Sequence, residues 1–268
     1  MSGFSAEWLT LREPYDLRAR NPAVLDAVFA SLAGRPAATI VDLACGTGST
    51  FRALSPRIEA RQDWRLVDND LSLLARVPSS SSPRISVTTV PVDLTCDLEA
   101  VFDRAADLIT TSALLDLVSE DWLNRLAVEA ALRRIPVYAA LSYDGRIELA
   151  PTDPLDSRIV DAVNRHQRTD KGFGPALGPL AAGAAIAGFE RIGYAVTRGL
   201  ADWEFGTQDR GIQLEVLSGW ATAAREIGGL PPSEISGWLA RRRDWIAAGI
   251  SSTRVGHVDL LARPILTR

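Results

Sequence analysis

Five short apolar runs, at residues 38–45, 64–68, 84–92, 107–111 and 135–141, alternate with segments whose apolar residues recur at helical spacing. Such runs read as strands buried on both faces, and strands separated by helices pair in parallel. The pattern predicts an α/β fold: a three-layer, doubly wound, mostly parallel sheet with helices on both faces. Asn21-Pro22 opens one helix (Val24, Leu25, Val28, Phe29, Leu32), and Phe51, Leu54 and Ile58 mark a second. Short helices follow through Leu71, Leu74 and Val77 and over 97–104, with a plain polar loop at 79–83. Ser119 caps a helix whose first turn carries Glu120 and Asp121 and whose apolar stripe is Trp122, Leu123, Leu126 and Ala130.

Past Tyr143 the alternation breaks. Two helical stretches are expected within 152–182 around a loop from His166 to Gly174, then a helix through Ile186 and Phe189 and a strand at 194–200. Residues 209–248 read as two more helices and 254–262 as the seventh strand. No linker divides the chain, so 1–268 reads as one domain, with 1–36 as a helical cap and 152–182 and 209–248 as helical insertions.

Composition narrows the function. With 47% hydrophobic residues over 268 positions the chain can bury a sizeable core, and its net charge of -4 argues against salt-driven binding to a nucleic-acid backbone. No apolar stretch reaches the roughly 18 uncharged residues of a membrane-spanning helix. The N-terminus lacks the basic and apolar regions of a secretory signal, so a reducing cytoplasm is expected. Cys45 and Cys96 supply neither a disulfide framework nor a cysteine zinc site, and no metal is expected. Lys171 is the sole lysine and His166 one of two histidines, and both fall in the 166–174 loop.

The chemistry concentrates at the ends of the predicted strands. Gly46-Thr-Gly48 follows the first, where a ligand can approach the backbone without meeting a Cβ. A nicotinamide site would place a third glycine where Phe51 stands. Asp42, four residues before Gly46, disfavours a pyrophosphate and suits an ammonium group.

Asp42-Leu-Ala44-Cys45-Gly46-Thr-Gly48 resembles the first motif of the class I S-adenosylmethionine-dependent methyltransferases. Asp68, followed by Asn69, stands where that family's acid grips both ribose hydroxyls; Asp93-Leu94 matches the pair beside the adenine. Ser112 opens the stretch to Asp116 that matches the lining of the cofactor and acceptor mouth. The resemblance is strong over about 36–145 and implies a Rossmann-like methyltransferase fold, S-adenosylmethionine as cofactor, and in-line methyl transfer aided by proximity and a base. It also places an acceptor pocket in the insertion after the fifth strand. His166 is there the leading base, with Tyr143 and Asp116 as further catalytic candidates, and Arg168, Asp170, Lys171 and Phe173 as acceptor-binding candidates. One of Arg12, Arg18 and Arg20 is expected to meet the cofactor carboxylate, while His257 and Asp259 read as structural.

The expected acceptor is an oxygen or nitrogen of a small molecule. Two other readings stay open: methylation of RNA or protein, hinted at by Arg241 to Arg243 and Arg133-Arg134, and a non-catalytic cofactor-binding module. The run Arg241 to Arg243 is expected to be a solvated face.

Overall fold

The computed structural model describes residues 4–80 and 82–265; of the polar loop at 79–83, Ser81 lies outside them, as do the first three residues of the N-terminal stretch. Five strands run parallel: β1 (Ala37–Leu43), β2 (Arg61–Asp68), β3 (Ile85–Pro91), β4 (Leu108–Ser112) and the first part of β5 (Val137–Ala150). β6 (Tyr194–Leu200) and β8 (Ser252–Pro264) close the sheet antiparallel, in the order β3-β2-β1-β4-β5-β8-β6. Among the described residues a short eighth strand joins these seven, β7 (Trp203–Phe205), which pairs with β8. Strand order reverses between β1 and β4, so the crevice for a ligand opens above their carboxyl ends.

Side chains alternate between the two faces. Ala38 and Ile40 of β1 pack with Trp64 and Leu66 of β2 against Val24, Val28 and Leu32 of α2 (Pro22–Leu32) and Leu54 of α3 (Ser49–Leu54). Val41, Leu43 and Ile109 face the other layer, α5 (Glu120–Arg133) and α7 (Ala181–Arg191), through Leu123, Leu126, Ala185 and Phe189. Capping follows the sequence: Ser119 accepts from the Trp122 N–H and Asn21 from that of Val24. Three helices come out shorter than their spacing implied, among them α4 (Leu71–Leu74), which stops before Val77. α3 ends at Leu54 and tightens into a 3-10 turn, Ser55–Arg57, containing Pro56; the 97–104 segment forms only the 3-10 turn Leu98–Phe102.

The larger departure is β5. The sequence reading ends it at 141, yet it runs on to Ala150 in a ribbon with β8, whose other edge carries β7. The ribbon bends where Leu141 takes φ 56 and its N–H donates to Asp259 Oδ1 at 2.8 Å. Beyond the bend Ile147 and Leu149 alternate with polar residues and pack onto a separate helical group: α6 (Asp156–His166), α8 (Arg210–Ile227) and α9 (Pro232–Ala247). Arg242 of α9 corrects the expectation of a solvated arginine face. It is fully buried, donates to the Pro151 carbonyl at 2.6 Å and pairs with Asp156, while Arg241 pairs with Asp153. No helix among the described residues is long and apolar enough to cross a membrane.

Candidate functional site

The chain leaves β1 through a turn only small residues enter easily: Ala44, Gly46 and Gly48 all take positive φ, at 52°, 54° and 84°. The turn is tied to the end of β2. Gly46 N–H donates to Asp68 Oδ2 at 2.8 Å and Asp70 N–H to Asp68 Oδ1 at 3.0 Å. Each carboxylate oxygen thereby keeps a lone pair for another donor. Asp68 is half-buried and Asn69 beside it exposed, so the pair sits at the rim of the crevice. Above the turn lies α1 (Ala6–Ala19): a Cβ on Gly46 would stand 3.0 Å from Leu9 Cδ1. Phe51 sits edge-on to Trp64 inside the core, where a nicotinamide site would want glycine.

Beneath the turn, Asp42, Thr110 and Tyr138 form a row across β1, β4 and β5. Thr110 donates to Asp42 Oδ1 at 2.7 Å, while Oδ2 is buried with no partner among the described residues. Burial pushes the Asp42 carboxyl up to about 7, against the pull of Thr110 and Arg20. Arg20 reaches the same place, donating to Tyr138 Oη at 3.1 Å and Thr50 Oγ1 at 3.3 Å, with Nε unpaired among the described residues. Of the three N-terminal arginines it alone lies beside Asp42. Arg12 pairs with Asp16 at 2.9 Å, and Arg18 is exposed over the Tyr15 ring. Cys45 is buried, which pushes its thiol up and leaves it a packing residue.

The remaining cofactor candidates cluster less tightly. Asp93 is exposed and closes its own turn on Thr95, whose N–H and hydroxyl donate to its Oδ1 at 3.0 and 2.7 Å. Leu94 is buried, its carbonyl held by Trp122 Nε1 at 2.7 Å. Ser112 Oγ is buried at the end of β4 with no partner among the described residues, just before Ala113 turns at φ 51°.

Beyond the end of β4, Asp116 is buried with Oδ1 unpaired among the described residues. Burial raises its carboxyl to about 6, offset by the backbone N–H groups of Asp116 and Tyr143 and by the charge of Arg12. Tyr143 is buried nearby, and its hydroxyl donates to Asn164 Oδ1 at 2.6 Å. Aromatic rings complete the wall: Trp203 lies 4.7 Å from His257 and edge-on to Trp8, and the guanidinium of Arg12 stacks over it. His257 is buried and held down to about 3, first by burial and then by Arg12. The sequence did not single out Trp8 or Trp203, and it offered Arg12 for the cofactor carboxylate rather than for this wall. Trp203-Glu-Phe205, alternating and flanked by polar residues, is the trace that a short strand leaves.

The 166–174 segment divides. Arg168 lines a cavity against β5, described below. His166 faces α8 instead: its Nε2 lies 2.8 Å from Glu226 and its Nδ1 3.2 Å from Lys171 Nζ. Asn164, two residues earlier, turns toward Tyr143, so His166 projects from the opposite side of α6. The structure therefore does not bring His166 and Lys171 together with Tyr143 and Asp116. Asp170 accepts from the N–H groups of Gly172 and Gly174 and shapes its own loop, and Phe173 is anchored edge-on to Trp122 rather than hinged. Asp259 is structural: it accepts from Asn21 N, Leu141 N and Tyr138 Oη. Among the described residues no group of three or more His, Cys, Asp or Glu is arranged to hold a metal ion.

No protein-family model matches the chain, and no curated protein matches it. Solved structures do. A cyclopropane-fatty-acyl-phospholipid synthase-like protein from Lactobacillus casei ATCC 334 is similar at TM-score 0.52 and 13% identity, over 98% of this chain and 95% of that one. A candidate type II methyltransferase from Anaeromyxobacter dehalogenans is similar at TM-score 0.52 and 17% identity, over 93% and 98%. A candidate methyltransferase from Bacillus halodurans C-125 matches at TM-score 0.50 and 12% identity, over 91% and 100%.

Proposed function

We propose that this chain, whose fold is that of the class I methyltransferases, binds S-adenosylmethionine and methylates an oxygen or nitrogen of a small molecule. The observation that carries the reading is the contact of Gly46 N–H with Asp68, which fixes a carboxylate with free lone pairs at the tip of β2. That arrangement suits two vicinal hydroxyls of a ribose. Unpaired Asp42 Oδ2 and Arg20 Nε, buried at one place, match the ammonium and carboxylate of an amino-acid end. Asp93, Leu94 and Ser112 supply the rim on the adenine and sulfur side. When bound, the cofactor supplies a sulfonium-activated methyl group.

The chain's own part is to align the acceptor, exclude water and hold a proton. Asp116 is the base we assign, because its unpaired Oδ1 is buried at the crevice and its carboxyl, near 6, is ionised at neutral pH. Tyr143, fixed by Asn164, positions the acceptor, and Trp8 and Trp203 shield it. His166 remains an alternative base only if α6 moves. The arginine hints of RNA binding weaken, since Arg241 and Arg242 are committed to Asp153 and Asp156. The acceptor reading thus favours a small molecule, handled in the cytoplasm.

Calorimetry tests the cofactor half. S-adenosylmethionine and its demethylated product should bind, nicotinamide cofactors should not, and Asp68→Ala should weaken both by about 10–100-fold through loss of charge-assisted hydrogen bonds. Absence of binding by the wild type would end the reading.

A further inference from the structure

A cavity of about 760 Å³ opens between α6 and the outer half of β5, within the range of small-molecule sites. Four arginines line it, and two of them are already used: Arg146 binds Asp144 and Asp202, and Arg158 binds Glu234. Arg165 makes one bond, to the Gly228 carbonyl at 3.3 Å, and the guanidinium of Arg168 makes none among the described residues. Arg158, Asp161, Arg165 and Arg168 recur at intervals of three and four and so share one side of α6 and its extension. Glycines make room for both free arginines. A Cβ on Gly229 would meet Arg165 Nη2 at 3.3 Å, and one on Gly178 would meet Arg168 Cγ at 3.0 Å. Among the described residues Asp161 is the one lining acid that forms no ion pair; with Arg165 and Arg168 it leaves one net positive charge on α6, while Arg146 between Asp144 and Asp202 leaves one net negative charge on the β5 side.

The inner wall of the cavity belongs to the proposed site. Asn164 lines the cavity, accepts from Tyr143 and donates to the Gly145 carbonyl at 3.1 Å. Gly178, against which Arg168 rests, donates its N–H to the Asp116 carbonyl at 2.9 Å. We infer that Arg165 and Arg168 bind an anionic head, a carboxylate or a phosphate monoester, on the molecule to be methylated. The acceptor role rests on the methyl-transfer reading above; the anion site does not. Paired guanidinium forks suit either head, and Asn164 and Gly178 bring it within one residue layer of Asp116.

The test is calorimetry with inorganic phosphate and with succinate as probes, run on the wild type, on Arg165→Gln/Arg168→Gln and on Asp161→Asn. One probe or both should bind the wild type, and whichever binds names the head. The double variant should bind about ten-fold more weakly, as expected for lost charge-assisted bonds, and Asp161→Asn more tightly. The demethylated cofactor should bind all three proteins alike. Equal anion binding by wild type and double variant, or none by the wild type, overturns the proposal. Anion binding that follows the arginines, in a protein that binds no cofactor, keeps this site and removes the methyl-transfer reading instead.

Discussion

The tips of β1 and β2 and the β5–β8 ribbon flank one crevice, yet they are built by opposite means. At the tips the decisive contact, Gly46 to Asp68, spans 22 residues and follows from a strand, a glycine turn and the next strand in register. On the ribbon side the ties are long: Trp203 to Asp16 spans 187 residues, Tyr15 to Asp209 spans 194 and Asn21 to Asp259 spans 238. A side written in local turns is specified by a motif; one written in tertiary ties exists only once the N-terminal helix, β7 and β8 have met. In the proposed function cofactor binding falls to the local half and acceptor choice to the assembled half.

The largest expected effect tests whether the halves depend on each other. Asp259 holds the Asn21 N–H, the Leu141 bend and Tyr138, and Tyr138 in turn holds Arg20. Asp259→Ala leaves two backbone donors unpaired and should cost about 3–5 kcal/mol in urea unfolding. A loss under about 1 kcal/mol would mean the cap and ribbon stand independently.

Asp116→Asn separates binding from turnover. Methyl transfer should fall about 100-fold or more, while affinity for the demethylated cofactor changes less than about two-fold. In the wild type kcat/KM should rise with pH through about 6, as the Asp116 carboxyl ionises, and the variant should lack that limb. An unchanged rate would remove the base from the β4 side of the crevice.

A smaller effect reads the ribbon through His257. Its folded value lies near 3, below the ordinary 6.5, so between these pH values the unfolded chain takes up a proton that the folded chain refuses. This group's share of stability is complete above 6.5 and falls on acidification, by at most about 1.4 kcal/mol per pH unit. Asp42 and Asp116, raised to about 7 and about 6, act in the opposite sense, gaining stability as pH falls through those values. The wild type alone mixes the two signs. His257→Gln should flatten the acid-side slope by one proton in urea titrations run from about pH 4 to 7, and an unchanged slope would show that the ring is solvated.

The same division decides what was legible in the sequence. The five parallel strands, the Ser119 cap and the Asp42–Asp68 constellation follow from period, cap chemistry and turn residues, all within a few positions of one another. β5 ran past its expected end because its outer half is stabilised by pairing with β8, a partner about a hundred residues away. Its only local trace was the alternation of Ile147 and Leu149 with Arg146 and Glu148. Arg242 looked like surface because its partner, Asp156, lies on another helix. Leu9, Arg12 and Trp8 left no motif, since α1 owes its place over the glycine turn to contacts with β7.

His166 supplies the finest test of the comparison, because its rarity pointed to the acceptor side and its surroundings do not. The Lys171 ammonium donates to Nδ1, so the ring proton resides on Nε2 and is given to Glu226; neither nitrogen is left for an acceptor. The pair is open to water, with the Glu226 side chain 61% exposed, so its worth to folding is small, about 0–1 kcal/mol. His166→Ala should therefore keep the methyl-transfer rate within about two-fold and move the unfolding midpoint only slightly. A fall of about 100-fold together with a displaced pH profile would return the base to α6. It would also require that helix to turn His166 toward Tyr143 during the reaction, breaking the Glu226 contact. The acceptor half would then be set by motion of the insertion rather than by the static ties that hold the ribbon.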